Sequence, residues 1–165
     1  MEFYTMTENM HILVIEDNPG DARLVEELLS EISDFPIQVQ TVARLADGCA
    51  VMEKGRIDVV LLDLMLPDSE GLDTLRAVQK CNPKVPIIVM TVIKDEQTAI
   101  EAVGIGAQEY LFKGNIDSAT LVRGIRYSIS RKHLETALRE SEERFRLAAD
   151  NYPSAFVIYD QELRF

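Results

Sequence analysis

The sequence predicts an α/β protein built on a doubly wound, five-stranded parallel sheet. Two observations carry this prediction: short apolar runs recur between residues 11 and 113, and an amphipathic stretch follows each of them. Strands that are apolar on both sides suit a parallel sheet covered by helices, because neither face of such a sheet meets water. Five strand–helix units joined by right-handed crossovers produce this architecture.

The first unit consists of a buried strand and an amphipathic helix. The strand His11–Glu16 contains four apolar residues in a row and ends in an acid. The helix Asp21–Ile32 follows Pro19, and proline is favoured where helices begin. Three apolar residues recur at helical spacing along it and predict the face that contacts the sheet: Leu24, Leu28 and Ile32.

Four more strand–helix units follow. The further strands are predicted at Ile37–Val42, which alternates apolar and polar residues, and at the apolar runs Asp58–Asp63, Pro86–Thr91 and Glu109–Lys113. The further helices are predicted at Leu45–Glu53, which Gly55 ends, and at Gly71–Lys80, Asp95–Val103 and from Ser118 onward. By analogy with the common small sheets of this class, we expect the flavodoxin-like strand order 2-1-3-4-5.

The last predicted helix is unusually long. No proline interrupts the sequence from Ser118 to Ala149, which as a helix would span about 48 Å. Its second half carries a seam of apolar or small residues at alternating steps of four and three: Leu134, Leu138, Ser141, Phe145 and Ala148. We expect the first turns to cover the sheet and this seam to form a weak homodimer.

Composition excludes several classes of function. The chain has 17 Lys and Arg against 28 Asp and Glu, a net charge of −11, which argues against binding of nucleic acid or anionic membranes. No apolar run approaches the length of about 18 residues that spans a bilayer. Cys49 and Cys81 lie far apart without CxxC spacing, which predicts two reduced thiols in a cytoplasmic protein.

Acids and other polar residues gather where the predicted strands end. Glu16 and Asp17 end the first strand, Asp63 the third, Thr91 the fourth and Lys113 the fifth. Because these strand ends share one edge of a parallel sheet, the side chains should meet in one crevice. Two carboxylates about 4 Å apart repel by about 4 kcal/mol at an effective dielectric constant of 20. The sequence therefore predicts a site for a hard divalent cation, and Mg²⁺ fits this ligand chemistry.

These residues resemble the motifs of two-component receiver domains over about residues 10–130. The matching motifs occur in the family's order, as Glu16-Asp17, Asp63-Leu-Met-Leu-Pro67 with Gly71, Thr91, and Tyr110-Leu-Phe-Lys113. Two neighbours depart from the family's pattern. Val92 stands where Ala or Gly is usual, and Gly114 follows Lys113 where Pro is commonest.

The resemblance implies a role for each motif residue. Asp63 would accept a phosphoryl group from a histidine kinase or a phosphotransfer protein, and Thr91 and Lys113 would contact the phosphoryl oxygens. Tyr110 would be an aromatic switch that reports phosphorylation. The implied Mg²⁺ ligands are Glu16, Asp17, Asp63 and the backbone carbonyl of Met65.

We expect three segments along the chain. Residues 10–130 form the receiver domain, and residues 131–150 form a linker helix that extends the fifth helix. Residues 151–165 resemble the start of a PAS domain and are too few to complete one. The chain is therefore expected to be the N-terminal part of a larger signalling protein, such as a sensor kinase.

Other functions were weighed against the receiver. A phosphatase-like enzyme with an aspartyl-phosphate intermediate would need a second Asp two residues after Asp63, where Met65 stands. A flavodoxin-like cofactor binder would need a phosphate-binding loop after the first strand, where the sequence instead offers one glycine and nearby acids. A DNA-binding regulator would need a helix-turn-helix after residue 130. A stand-alone receiver that acts through protein–protein contact remains open.

Overall fold

The computed structural model describes residues 9–31, 36–92 and 95–151. Its strands are β1 Met10–Ile15, β2 Ile37–Val42, β3 Val59–Asp63, β4 Met65–Leu66, β5 Ser69–Glu70, β6 Ile87–Thr91 and β7 Glu109–Phe112. Its α-helices are α1 Pro19–Ser30, α2 Leu45–Lys54, α3 Leu72–Cys81, α4 Glu96–Ile105 and α5 Ser118–Asn151. A short 3-10 turn, Lys113–Asn115, lies between β7 and α5.

Five strands form one parallel sheet in the order β2-β1-β3-β6-β7. Because β6 and β7 are the fourth and fifth predicted strands, this order confirms the predicted 2-1-3-4-5 topology and the doubly wound fold class. The two-residue strands β4 and β5 pair separately as an antiparallel hairpin directly after β3. The sequence analysis placed only a loop there.

The core lies on both faces of the sheet, as continuous apolar strands predict. On one face, buried side chains of α1 and α5 pack against alternate strand residues such as Ile12 and Val14. On the other face, α2, α3 and α4 pack against the intervening residues, such as Leu13 and Ile15. Because both faces are covered, every residue of β3 and β6 is buried.

Helix α1 buries a different stripe from the predicted one. Its buried residues are Ala22, Val25 and Leu29, whereas Leu24 is 43% exposed. Leu28 is half-buried, and Ile32 lies outside the described residues. Two stripes at helical spacing run side by side on this helix, so spacing alone could not select between them.

The first turns of α5 cover the sheet as expected. Leu121 and Ile125 are fully buried in the core, and the half-buried Ile129 packs against it. The chain divides into two compact units, one ending at Lys132 and the other beginning at His133, although α5 contributes residues to both. Among the described helices, none combines the length and apolar character that crossing a membrane requires.

The prediction of two reduced thiols was wrong, because Cys49 of α2 and Cys81 of α3 form a disulfide. Their Cα atoms are 5.6 Å apart, within the usual range for a bridge. The two helices pack on the same face of the sheet, so residues that are 32 positions apart in sequence become neighbours. Cysteine spacing carries no information about this contact.

Candidate functional site

The carboxyl edge of the sheet gathers the polar residues that follow the strands. Glu16 comes directly after β1, Asp63 and Thr91 are the last residues of β3 and β6, and Lys113 follows β7. Glu16, Asp63 and Thr91 are buried, with 2%, 8% and 3% of their surface exposed. Buried polar groups must be paired to be tolerated, so their partners define the site.

Lys113 is the centre of this site. Its ammonium nitrogen lies 2.5 Å from Glu16 Oε2, 2.6 Å from Asp63 Oδ2 and 2.9 Å from Asp21 Oδ2. The Lys113 side chain is only 8% exposed. Burial lowers the pKa of Lys113, but the hydrogen bonds to Asp63, Glu16 and Asp21 raise it further, so the net shift is upward. Lys113 therefore stays charged and offsets part of the negative charge around it.

Three of the predicted residues form a cluster of carboxylates. Glu16, Asp17 and Asp63 each offer an oxygen, and these oxygens lie within 4.8 Å of one another. Burial raises the pKa of Glu16, opposed by the hydrogen bond from Lys113 and reinforced by the charge of Asp63. Carboxylate oxygens at this spacing suit a hard divalent cation.

The loop between β1 and α1 holds the first two acids in place. The Asn18 N–H donates to Glu16 Oε1 at 3.1 Å, which fixes the carboxylate that Lys113 contacts. The Asn18 side chain in turn caps α1, accepting from the N–H groups of Gly20 and Asp21. This cap orients the first turn of α1, so that Asp21 reaches Lys113. The sequence analysis did not select Asp21 as a site residue.

The loop after β3 is closed by a tight turn at Gly71. Gly71 has φ of 65°, a conformation that glycine adopts without steric cost, and its N–H donates to the Leu64 carbonyl at 2.8 Å. At the start of this loop, the Met65 N–H donates to Asp63 Oδ1 at 3.1 Å. One oxygen of Asp63 is thereby oriented by the backbone and the other by Lys113.

The same loop is tied to α2 through Asp68. Its two carboxylate oxygens accept from the N–H groups of Leu45 and Ala46, at 2.9 and 3.1 Å. These hydrogen bonds, with the one from Ala46 the strongest, hold the pKa of Asp68 below its usual value. Asp68 thus satisfies the start of α2, whose N-cap residue Arg44 makes no side-chain cap.

Tyr110 lies in β7 beside Val89 of β6 and packs against the core on the α2–α4 face. Its hydroxyl is buried and finds no hydrogen-bond partner among the described residues. The neighbour of Thr91, Val92, is 63% exposed. The predicted switch residue therefore points its polar atom into an apolar environment.

A family model of the response regulator receiver domain matches residues 12–126. The chain is 37% identical over 100 residues to the luminescence regulatory protein LuxO of Vibrio campbellii, covering 61% of this chain and 21% of LuxO. It is 31% identical over 109 residues to the transcriptional regulatory protein ZraR of Klebsiella oxytoca, covering 64% of this chain and 23% of ZraR. The chain thus spans less than a quarter of the length of these curated relatives.

Solved structures agree with the family match. A response regulator receiver domain from Clostridium thermocellum superposes with a TM-score of 0.65 at 30% identity, covering 76% of this chain and 98% of that one. The receiver domain of a LuxO repressor protein from Vibrio parahaemolyticus shares the fold, with a TM-score of 0.68 at 23% identity, covering 79% and 98% of the two chains. With the family match over most of the chain, these findings show that it belongs to the response regulator receiver domains of two-component systems.

Proposed function

We propose that Asp63 is the phosphoacceptor of this receiver. A carboxylate oxygen of Asp63 would attack the phosphorus of a phosphohistidine or of acetyl phosphate. The new bond is the P–O bond of an acyl phosphate, and the bond that breaks is the P–N bond to the imidazole or the P–O bond to acetate. The observation that carries the proposal is the contact of Asp63 with Lys113 beside two further carboxylates.

Lys113 supplies the positive charge that the transfer needs. The phosphoryl group is anionic and arrives where Asp63 and Glu16 are already negative, so a fixed ammonium lowers the barrier. The Lys113 ammonium lies within hydrogen-bond distance of both carboxylates, close to where the phosphoryl oxygens would develop charge. The buried Thr91 would donate its hydroxyl to a phosphoryl oxygen.

Glu16, Asp17 and Asp63, with the Met65 carbonyl, are the residues that would hold Mg²⁺. The cation, when bound, would neutralise charge on the phosphoryl oxygens during transfer. The proposal is supported by the donor set, since carboxylates and a backbone carbonyl are the ligands that Mg²⁺ prefers. Lys113 alone offers one positive charge against the carboxylates that surround it.

Labelling with radioactive acetyl phosphate tests this function. We expect incorporation into the wild-type chain in the presence of Mg²⁺, its loss on adding a chelator, and its loss in Asp63→Asn. Asp73→Asn is the matched control, because Asp73 is an exposed aspartate of α3 that pairs with Arg76, and it should label like the wild type. Undiminished labelling of Asp63→Asn would refute the assignment.

The phosphorylated state would be read out through Thr91 and Tyr110. The acyl phosphate adds about 1.5 to 2 negative charges at the crevice. Thr91 would move towards it, and Tyr110 would follow, changing the surface formed by α4, β7 and α5. The buried, unpartnered hydroxyl of Tyr110 supports this role, because it makes the present position of the ring costly and gives the switch two states of similar energy.

The second half of α5 would transmit the signal through a dimer. Leu134, Leu138 and Phe145 are 73%, 62% and 53% exposed, and burying each in a coiled-coil seam would contribute about 1.5–3 kcal/mol. Sedimentation compares Leu138→Glu on the seam with Leu147→Glu, a leucine of α5 with 57% exposure that lies off the seam. We expect the first to abolish dimers and the second to retain them, whereas monomers in the wild type at all concentrations would exclude the dimer.

The parent protein remains a prediction. The PAS resemblance falls on residues 151–165, of which 152–165 lie outside the described residues, and the domain limits 10–130 and 131–150 are likewise unchanged predictions. A histidine kinase or phosphotransfer protein is the partner that the receiver chemistry requires. The cytoplasmic location also stays a prediction, and the Cys49–Cys81 disulfide removes the argument from reduced thiols on which it depended.

A further inference from the structure

Asp21 contacts the site without belonging to the carboxylate cluster. It lies in the first turn of α1, is half-buried, and its Oδ2 accepts a hydrogen bond from Lys113 at 2.9 Å. An ammonium group has three N–H donors, and the structure gives Lys113 three carboxylate acceptors: Glu16, Asp63 and Asp21. Lys113 is therefore saturated in this state.

Two of these three acceptors serve a second purpose. Glu16 and Asp63 also belong to the cluster that would hold a divalent cation, so Lys113 and the cation draw on the same carboxylates. Among the contacts printed by the geometry for Lys113, Asp21 is the carboxylate outside that cluster. When Glu16 and Asp63 turn towards a cation or a phosphoryl group, Asp21 is the acceptor that Lys113 keeps.

We propose that Asp21 is a positioning residue that holds the Lys113 ammonium beside the site while Glu16 and Asp63 are engaged elsewhere. The inference rests on the proposed function, because it concerns the same cation and the same phosphoryl transfer. Without Asp21, Lys113 pairs more strongly with Glu16 and Asp63 and competes with the cation for them. Asp21 therefore strengthens cation binding through Lys113.

A double-mutant cycle on Mg²⁺ affinity tests this role. Mg²⁺ alone is titrated into the full chain, and binding is followed by amide NMR shifts, which report affinity without phosphorylation. We expect Asp21→Asn to weaken binding by about fivefold, the size of effect that one partly exposed ion pair produces. In a Lys113→Gln background the same change should weaken binding by less than about twofold, because the competing ammonium is gone.

The matched control is Asp47→Asn. Asp47 occupies the first turn of α2, as Asp21 occupies that of α1, and it is exposed, so the control removes one charge at an equivalent helix position. It should leave Mg²⁺ affinity within about twofold of the wild type. A merely structural role of Asp21 would lower the urea midpoint of the cation-free protein and leave the affinity of the folded protein unchanged.

The outcomes separate this inference from the proposed function. If the wild type binds Mg²⁺ and labels at Asp63, but Asp21→Asn weakens binding equally with and without Lys113, the positioning role is overturned and the proposed function stands. Unchanged affinity in Asp21→Asn overturns it as well. If the wild type neither binds Mg²⁺ nor labels, the proposed function and the role of Asp21 fall together.

Discussion

Reducing the Cys49–Cys81 disulfide should lower the free energy of unfolding by about 3.7 kcal/mol. The bridge joins residues 32 positions apart, and closing a loop of that length removes about 12 cal/mol/K of entropy from the unfolded chain. At 25 °C this entropy corresponds to the stated free energy. The loop contains β3 and α3, so any of their structure that persists in the unfolded state reduces the effect.

Urea unfolding followed by circular dichroism measures the change directly. With a slope of about 1–3 kcal/mol/M, the unfolding midpoint of the reduced protein should fall by about 1–4 M. The Cys49→Ser/Cys81→Ser double variant serves as the control, because the reductant has no bond to break in it. Its midpoint should match that of the reduced wild type and stay the same with and without reductant.

Two results would refute this reasoning. The first is alkylation of both cysteines in native protein purified without reductant, since a bridged pair cannot react. The second is an equal free energy of unfolding for the oxidised and reduced protein. The first result would also restore the sequence-based prediction of two thiols.

Three further predictions concern the switch, the neighbour of Thr91 and the helix caps. Tyr110→Phe should raise the free energy of unfolding by about 1 kcal/mol in urea, because it removes a buried hydroxyl that has no partner among the described residues, and a loss of stability would show that the hydroxyl is bonded. Val92→Ala should speed labelling by acetyl phosphate by opening the approach to the crevice, and equal rates of labelling and hydrolysis would contradict this. The pKa values of Asp68, Asp95 and Asp117 lie below the ordinary 3.8, because each accepts hydrogen bonds from the first turn of a helix. Their contribution is therefore complete above pH 3.8 and is lost as the pH falls through the lowered values. Asp95→Asn, which keeps the cap acceptor but does not titrate, should flatten the acid dependence of the urea midpoint, and an unchanged profile would count against the cap.

The sequence by itself determined the order of the elements and the edge of the sheet that carries the site. The strand Ile37–Val42 has the predicted limits, and Asp63 and Thr91 end the strands that were expected to end there. These features could be predicted because apolar periodicity and chain punctuation are local properties that any stretch of sequence displays. Strand ends then share an edge because the sheet is parallel, so a local pattern already implied where Glu16 and Lys113 would lie.

Only the tertiary structure decided which distant residues touch. Lys113 and Asp21 are 92 positions apart, and Cys49 and Cys81 are 32 apart, so their contacts depend on how helices settle on the sheet. Leu24 illustrates the same limit within a single helix, because two apolar stripes satisfy the helical period and only packing shows that the one through Val25 is buried. Periodicity states that a helix has an apolar side, whereas its rotation about its own axis is fixed by the free energy of burying one stripe against a surface the local sequence does not contain.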